Sequence, residues 1–166
     1  MRITLRFRKH RFGFSHYTVT DVTGVNSRVK DDLHVCMWDF DNKSLIAIID
    51  ELRITQRIFR LPRIFILQTS NGPNYQAFCF TLRPWQQVRS IVGQTFFVDD
   101  NFFKLGVLRG FFTLRTGPKF GFKPELVHVL MSLVPDECIP KRLNHWVQYE
   151  TVDDRGDAQN GREKGN

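Results

Sequence analysis

No apolar run in these 166 residues approaches the ~18–20 needed to cross a bilayer, so no membrane span is expected. The basic start, MRITLRFRKHRFGF, has no apolar h-region and does not read as a secretory signal. Cysteine is scarce: Cys36, Cys79 and Cys138 are odd in number and widely spaced. Without a C-x-x-C pair, neither a structural zinc site nor a disulfide framework is expected. Cys36 and Cys79 fall inside expected strands, where buried thiols are common. All three are expected to be reduced, in an intracellular, cytoplasmic setting. The histidines (His10, His16, His34, His128 and His145) include no His-hydrophobic-His pair, which excludes the metal motif of a rolling-circle endonuclease. His34 and His128 lie on apolar stretches and read as satisfied core histidines. No G-x-x-x-x-G-K-[ST] loop is present, which excludes a P-loop motor. There is no internal repeat, and no glycine-aromatic motif of an RNA-recognition module.

What is there is a basic, phenylalanine-rich chain. Apolar residues make up 42% and Phe alone accounts for 16, enough to bury a core. Length and pattern predict one domain over residues 1–152 and a disordered tail over 153–166, polar and without apolar periodicity. Arg2–Phe7 and His16–Val22 read as strands, forming a hairpin across the turn region Lys9–Phe14. Val22–Asp32 reads as a loop. Leu33–Asp39 is a strand, and Lys43–Phe59 an amphipathic helix with Leu45, Ile48, Ile49, Leu52 and Phe59 on its buried stripe. Arg63–Ser70 and Tyr75–Leu82 read as strands around the turn Asn71–Asn74, and Pro84 opens a second helix. Beyond it come a short strand at Thr95–Val98, a turn or helix over Asn101–Arg109, a strand over Phe111–Arg115 and a final helix over Lys123–Val134. The expected class is α+β. Its order, β-α-β-β-α-β, is a split βαβ arrangement of ferredoxin-like or RRM-like type, with helices packed on a mostly antiparallel sheet. That order alone assigns no function.

The sharpest feature is Leu33–Asn42, LHVCMWDFDN, an apolar run ending in two aspartates one residue apart. Strand side chains alternate, so Leu33, Val35, Met37, Asp39 and Asp41 are expected on one face. Carboxylates at i and i+2 lie ~6.5–7 Å apart at Cα, close enough to converge on one or two divalent ions. Asn42 and Ser44 follow as helix-cap candidates, and two loop aspartates capping that helix is the plainer alternative.

The net charge is +7, concentrated early: Arg2, Arg6, Arg8, Lys9, Arg11, Arg28 and Lys30 face one acid, Asp21, within the first 30 residues. Phe7, Phe12, Phe14 and Tyr17 interleave with them. Cations neutralise phosphates and aromatic faces stack on unpaired bases, so Arg2, Arg6, Arg8, Lys9 and Arg11 are candidates for binding single-stranded nucleic acid. The alternative is a solubilising hairpin whose aromatics pack in the core.

The ordered set WDFD (Trp38–Asp41), TSNGPNYQ (Thr69–Gln76) and VDDNFFKLGVLRGFFTLRTGPK (Val98–Lys119) resembles the archaeo-eukaryotic primase superfamily, and within it the primase-polymerase branch. The resemblance implies that Asp39, Asp41 and Asp99 are catalytic metal ligands for Mg²⁺ or Mn²⁺, with Asp100 as the alternative third carboxylate. It assigns Arg109, Arg115 and Lys119 to triphosphate or template phosphates, which the planar arginine fork suits. In the second motif Gln76 stands where the family usually has His, with Ser70 and Asn74 nearby. Ser70 and Gln76 are the nucleotide-binding candidates there, since glutamine can donate to a phosphate oxygen but carries no charge. The implied activity is two-metal nucleotidyl transfer in DNA replication of a virus, plasmid or mobile element. Its partners would be a single-stranded DNA template and nucleoside triphosphates, with no membrane. Whether a helicase or other replication protein joins it stays open. Gln76 favours a second interpretation, a non-catalytic single-stranded nucleic-acid-binding protein on a primase-like scaffold.

Overall fold

The computed structural model describes residues 2–7, 10–15, 18–118, 121–138 and 146–153, with side chains over 24–118 and 121–138. In chain order the elements are β1 (Arg2–Phe7), β2 (His10–Ser15), β3 (Thr18–Asn26), β4 (Arg28–Lys30), β5 (Leu33–Phe40), α1 (Leu45–Phe59), β6 (Ile64–Gln68) and β7 (Tyr75–Pro84). After these come α2 (Trp85–Gly93), α3 (Asp100–Arg109), β8 (Thr113–Arg115), β9 (Glu125–Leu130) and β10 (Trp146–Asp153). The class is α+β with a mostly antiparallel sheet. No helix among the described residues is long and apolar enough to cross a membrane. Two compact units are present: residues 1–22 with 148–166, and residues 23–147.

The larger unit is built on a five-stranded sheet in the order β4-β5-β7-β6-β9, antiparallel at each pairing. Helix α1 links β5 to β6, yet β7 is inserted between those two strands. Opposed residues of an antiparallel ladder share a face. The register therefore puts Trp38, Ala77, Ile66 and His128 on one face, and Asp39, Gln76, Leu67 and Leu126 on the other. The first face carries the helices. Trp38, Ile66 and Ala77 are fully buried there with Ile48 and Leu52 of α1 and Val88 and Val92 of α2. Gln56 of α1 is buried too, and its amide donates to the carbonyls of Pro62 (2.9 Å) and Leu130 (3.2 Å). Cys36 and Cys79 are opposed in register, buried and free.

Helix α3 is seated by aromatic contacts. Phe112 stacks on Phe102 at 5.0 Å and meets Trp85 of α2 at 5.0 Å, while Trp85 lies 5.2 Å from the buried His34 ring. Gly106 lets the helix backbone approach: a Cβ there would fall on the Phe112 ring.

Several expectations are corrected. Lys123–Val134 is not a helix; its centre, ELVHVL, is strand β9, paired with β6 from Ile64↔Leu130 to Gln68↔Glu125. Two valines in an alternating run fit a pleated edge, and non-local pairing outweighs local helix pattern. Thr95–Val98 is not a strand but the turn between α2 and α3. The supposed loop Val22–Asp32 is mostly strand, carrying the end of β3 and all of β4. The supposed turn region Lys9–Phe14 contains most of β2, which pairs with β1 from Arg2↔Ser15 to Phe7↔His10. The last strand of the expected order, β8, pairs with β3 through Gly24–Asn26, while β4 lies along the other side of β5.

In the smaller unit the β1–β2 register separates two faces. Ile3, Leu5 and Phe7 share one with His10, Phe12 and Phe14; Arg2, Thr4 and Arg6 share the other with Arg11, Gly13 and Ser15. Arg8, Lys9 and Lys119, and the tail beyond residue 153, lie outside the described residues.

Candidate active site

The three aspartates are brought together by backbone as much as by side chains. Strand β5 delivers Asp39 at its end, half-buried, and Asp41 follows just outside it, exposed. Asn42 then turns the chain with φ 55°, a left-handed conformation that Asn tolerates better than most residues. The β6–β7 turn clamps this corner: the Asn42 amide donates to Asn74 Oδ1 at 3.0 Å and the Lys43 amide to the Pro73 carbonyl at 3.0 Å. From the other side, the Asp99 amide donates to the Asp39 carbonyl at 2.8 Å. Asp99 is also the N-cap of α3, its Oδ1 accepting from the Phe102 amide at 2.7 Å. Trp38 fixes the approach of that segment, donating from Nε1 to Thr95 Oγ1 at 2.9 Å.

Electrostatics follow from this crowding. The Asp39 carboxyl is pushed up from 3.8 to about 7, first by burial and then by the nearby charges of Asp41 and Asp99. A hydrogen bond from the Gln76 side chain and the charge of Arg115 act in the opposite sense. Asp39, Asp41, Asp99, Gln76 and Arg115 thus form one electrostatic group. Of the two candidate third carboxylates, Asp99 is the one that acts on Asp39. Asp100 is exposed and its Oδ2 meets Lys104 Nζ at 3.0 Å, one turn along α3.

The donor set suits a hard divalent cation in charge and element. Among the described residues, no three His, Cys, Asp or Glu side chains already close on a single metal-ligating point. A closed cage is not what Mg²⁺ requires, because it keeps several waters and is held by one or two carboxylates plus substrate phosphates. Asp39, Asp41 and the Asp99 oxygen not used in capping are the residues that would hold it.

The other sequence candidates are placed as follows. Gln76 is buried, opposite Asp39 in the β5–β7 ladder and committed to its carboxylate. Ser70 stitches its own loop, its Oγ accepting from the Gly72 amide at 3.1 Å and from Asn74 Nδ2 at 3.0 Å. Arg109 sits in the last turn of α3. Ten residue steps along the helix lead from the Asp99 cap to it, about 15 Å at 1.5 Å per residue, so it is not brought to the carboxylates.

A cleft of about 320 Å³ opens beside the aspartates, lined by Asp41, Lys43, Phe96, Phe97, Val98, Asp99 and Asp100. Sequence reasoning missed Lys43, Phe96 and Phe97. Lys43 left one faint signal, a cation where a helix N-terminus favours acids. Its Nζ in fact lies 5.8 Å from the Phe97 ring centroid, and the helix begins only at Leu45. Compared with protein-family models, with curated proteins and with solved structures, the chain finds no match.

Proposed function

We propose that this chain is a small primase- or polymerase-type nucleotidyltransferase acting in DNA replication, built on a primase-polymerase-like variant of the split βαβ fold. The observation that carries this is the gathering of Asp41 and Asp99 around the half-buried Asp39, with Arg115 in electrostatic reach. Like charges held this close in a partly dehydrated site favour either a proton or a cation between them. Bound there, Mg²⁺ or Mn²⁺ would neutralise phosphate charge and activate an attacking 3′-hydroxyl.

The chain's own residues then have distinct tasks. Asp39, Asp41 and Asp99 provide the anionic oxygens. Gln76 orients Asp39 and favours its ionised form. Arg115 holds a phosphate, since positioning and charge neutralisation dominate phosphoryl transfer. The buried thiols of Cys36 and Cys79, neither of them in a disulfide, favour an intracellular, cytoplasmic setting.

A second interpretation, a non-catalytic single-stranded nucleic-acid binder, is favoured by the burial of Gln76 and its hydrogen bond to Asp39, which keep it from meeting a triphosphate. One experiment separates the two. Purified protein is incubated with single-stranded template, labelled nucleotides and Mn²⁺, alongside Asp39→Asn and Asp41→Asn. Template-dependent incorporation lost in both variants is the expected result. Template binding without incorporation in the wild type rejects the enzyme in favour of the binder.

A further inference from the structure

Phe96 is the sole exposed aromatic among the residues whose side chains are described, at 83% exposure. It lines the carboxylate cleft beside Asp41 and Asp99. It is also held in place. Its amide donates to Glu51 Oε1 of α1 at 2.9 Å, and its ring meets Phe97 edge-on at 5.4 Å and 85°. Thr95, immediately before it, is buried and donates to the Ile91 carbonyl at 3.0 Å. The ring is therefore presented on a fixed backbone.

We propose that Phe96 is the stacking platform for the base of a metal-bound nucleoside triphosphate, which makes the cleft selective for nucleotides over inorganic polyphosphate without preference among bases. This inference rests on the nucleotidyl-transfer assignment above and names the substrate contact that assignment lacks. Three acids line the cleft with one lysine, Lys43, so a bare polyphosphate is repelled and enters only with a divalent ion. The volume, about 320 Å³, lies at the small end of ligand pockets and leaves part of a nucleotide in solvent. A ring at the open rim suits the part that protrudes. Every base has a π-face, so such stacking tolerates all four.

The test is calorimetric titration of the full chain, in Mn²⁺, with ATP, GTP, CTP and inorganic tripolyphosphate. Wild type is expected to bind the three nucleotides alike and tripolyphosphate more weakly, by roughly 5- to 150-fold, the range for one stacked base. Phe96→Ala should erase that gap and leave tripolyphosphate affinity unchanged, and Phe96→Trp should keep it. The Phe96→Trp indole should also be quenched by nucleotides and not by tripolyphosphate. Equal affinity of wild type for nucleotide and tripolyphosphate, or a gap that survives Phe96→Ala, overturns the proposal while leaving the carboxylate site standing. Failure of wild type to bind either compound with Mn²⁺ overturns both.

Discussion

Asp39 sets how stability and ligand binding depend on pH. Its folded pKa of about 7 lies above the ordinary 3.8, so the folded chain holds a proton that the unfolded chain has released. Stability from this group is present below about 4 and lost as pH rises towards 7. At about 1.4 kcal/mol per unit, the full penalty is on the order of 4 kcal/mol, reduced by solvent at this partly open site. Asp39→Asn is expected to melt higher than wild type at pH 8 and to match it at pH 4, a comparison made by thermal unfolding. Mn²⁺ at ~100 times its dissociation constant should add about 2.7 kcal/mol to wild type at pH 8. The gain should shrink towards zero at pH 5, where the proton occupies the ligand. A Mn²⁺ effect independent of pH would remove Asp39 from the ligand set. Gln76→Leu, which deletes the hydrogen bond favouring ionisation, should move the onset of Mn²⁺ binding to higher pH.

Helix α3 carries Asp99, and its seat on Phe112 is where an intuitive stabilising change should fail. Exposed helix glycines gain about 1 kcal/mol on replacement by Ala. Gly106 is buried against the Phe112 ring, which has no room to retreat. Gly106→Ala is expected to lower stability by a net of about 0–2 kcal/mol instead of raising it, because overpacking costs about 1–3 kcal/mol, with the change read by urea denaturation. The same contrast explains what was legible in the sequence. Strand β5 and helix α1 announced themselves through local pattern, and the order of the two aspartate motifs and the turn between them could be read along the chain. Strand β9 could not, because a short apolar run with Glu and His fits either period until β6 is alongside it. Phe96, and Lys43 but for one faint signal, escaped for a related reason: each becomes notable only once folding sets it beside Asp41 and Asp99. The strands β1 and β2 were shifted because the sequence between them, Arg8 and Lys9, has none of the usual Gly or Pro punctuation.

For the molecule as a whole, the charge of +7 coexists with a cleft lined by three acids and one lysine, so most of the basic residues lie outside it. The β1–β2 register places Arg2, Arg6 and Arg11 on the face opposite Phe7, Phe12 and Phe14. Single-stranded nucleic acid held there would be bound through phosphates and not through stacking. Log affinity should fall with log salt at about −0.7 per neutralised phosphate, or roughly −2 for three contacts. Replacing Arg2, Arg6 and Arg11 by Ala should flatten that slope and weaken all oligonucleotides alike. Phe12→Ala should leave the slope unchanged. An unaltered slope in the triple variant, measured by fluorescence anisotropy across a salt series, would show that this face takes no part.

The corner that carries Asp41 is held by amides as a strand would be, although it lies outside any strand. The N–H groups of Asn42 and Lys43 are bonded to the β6–β7 turn, and that of Asp99 to the Asp39 carbonyl. Exposed turns normally exchange their amide hydrogens with solvent almost at once, whereas hydrogen-bonded core strands exchange only when a larger region opens. These three amides should exchange at the pace of their neighbours in β5 and β7. The acidic corner then opens only when the sheet does, and an arriving ligand meets oxygens whose ordering was completed when the chain folded.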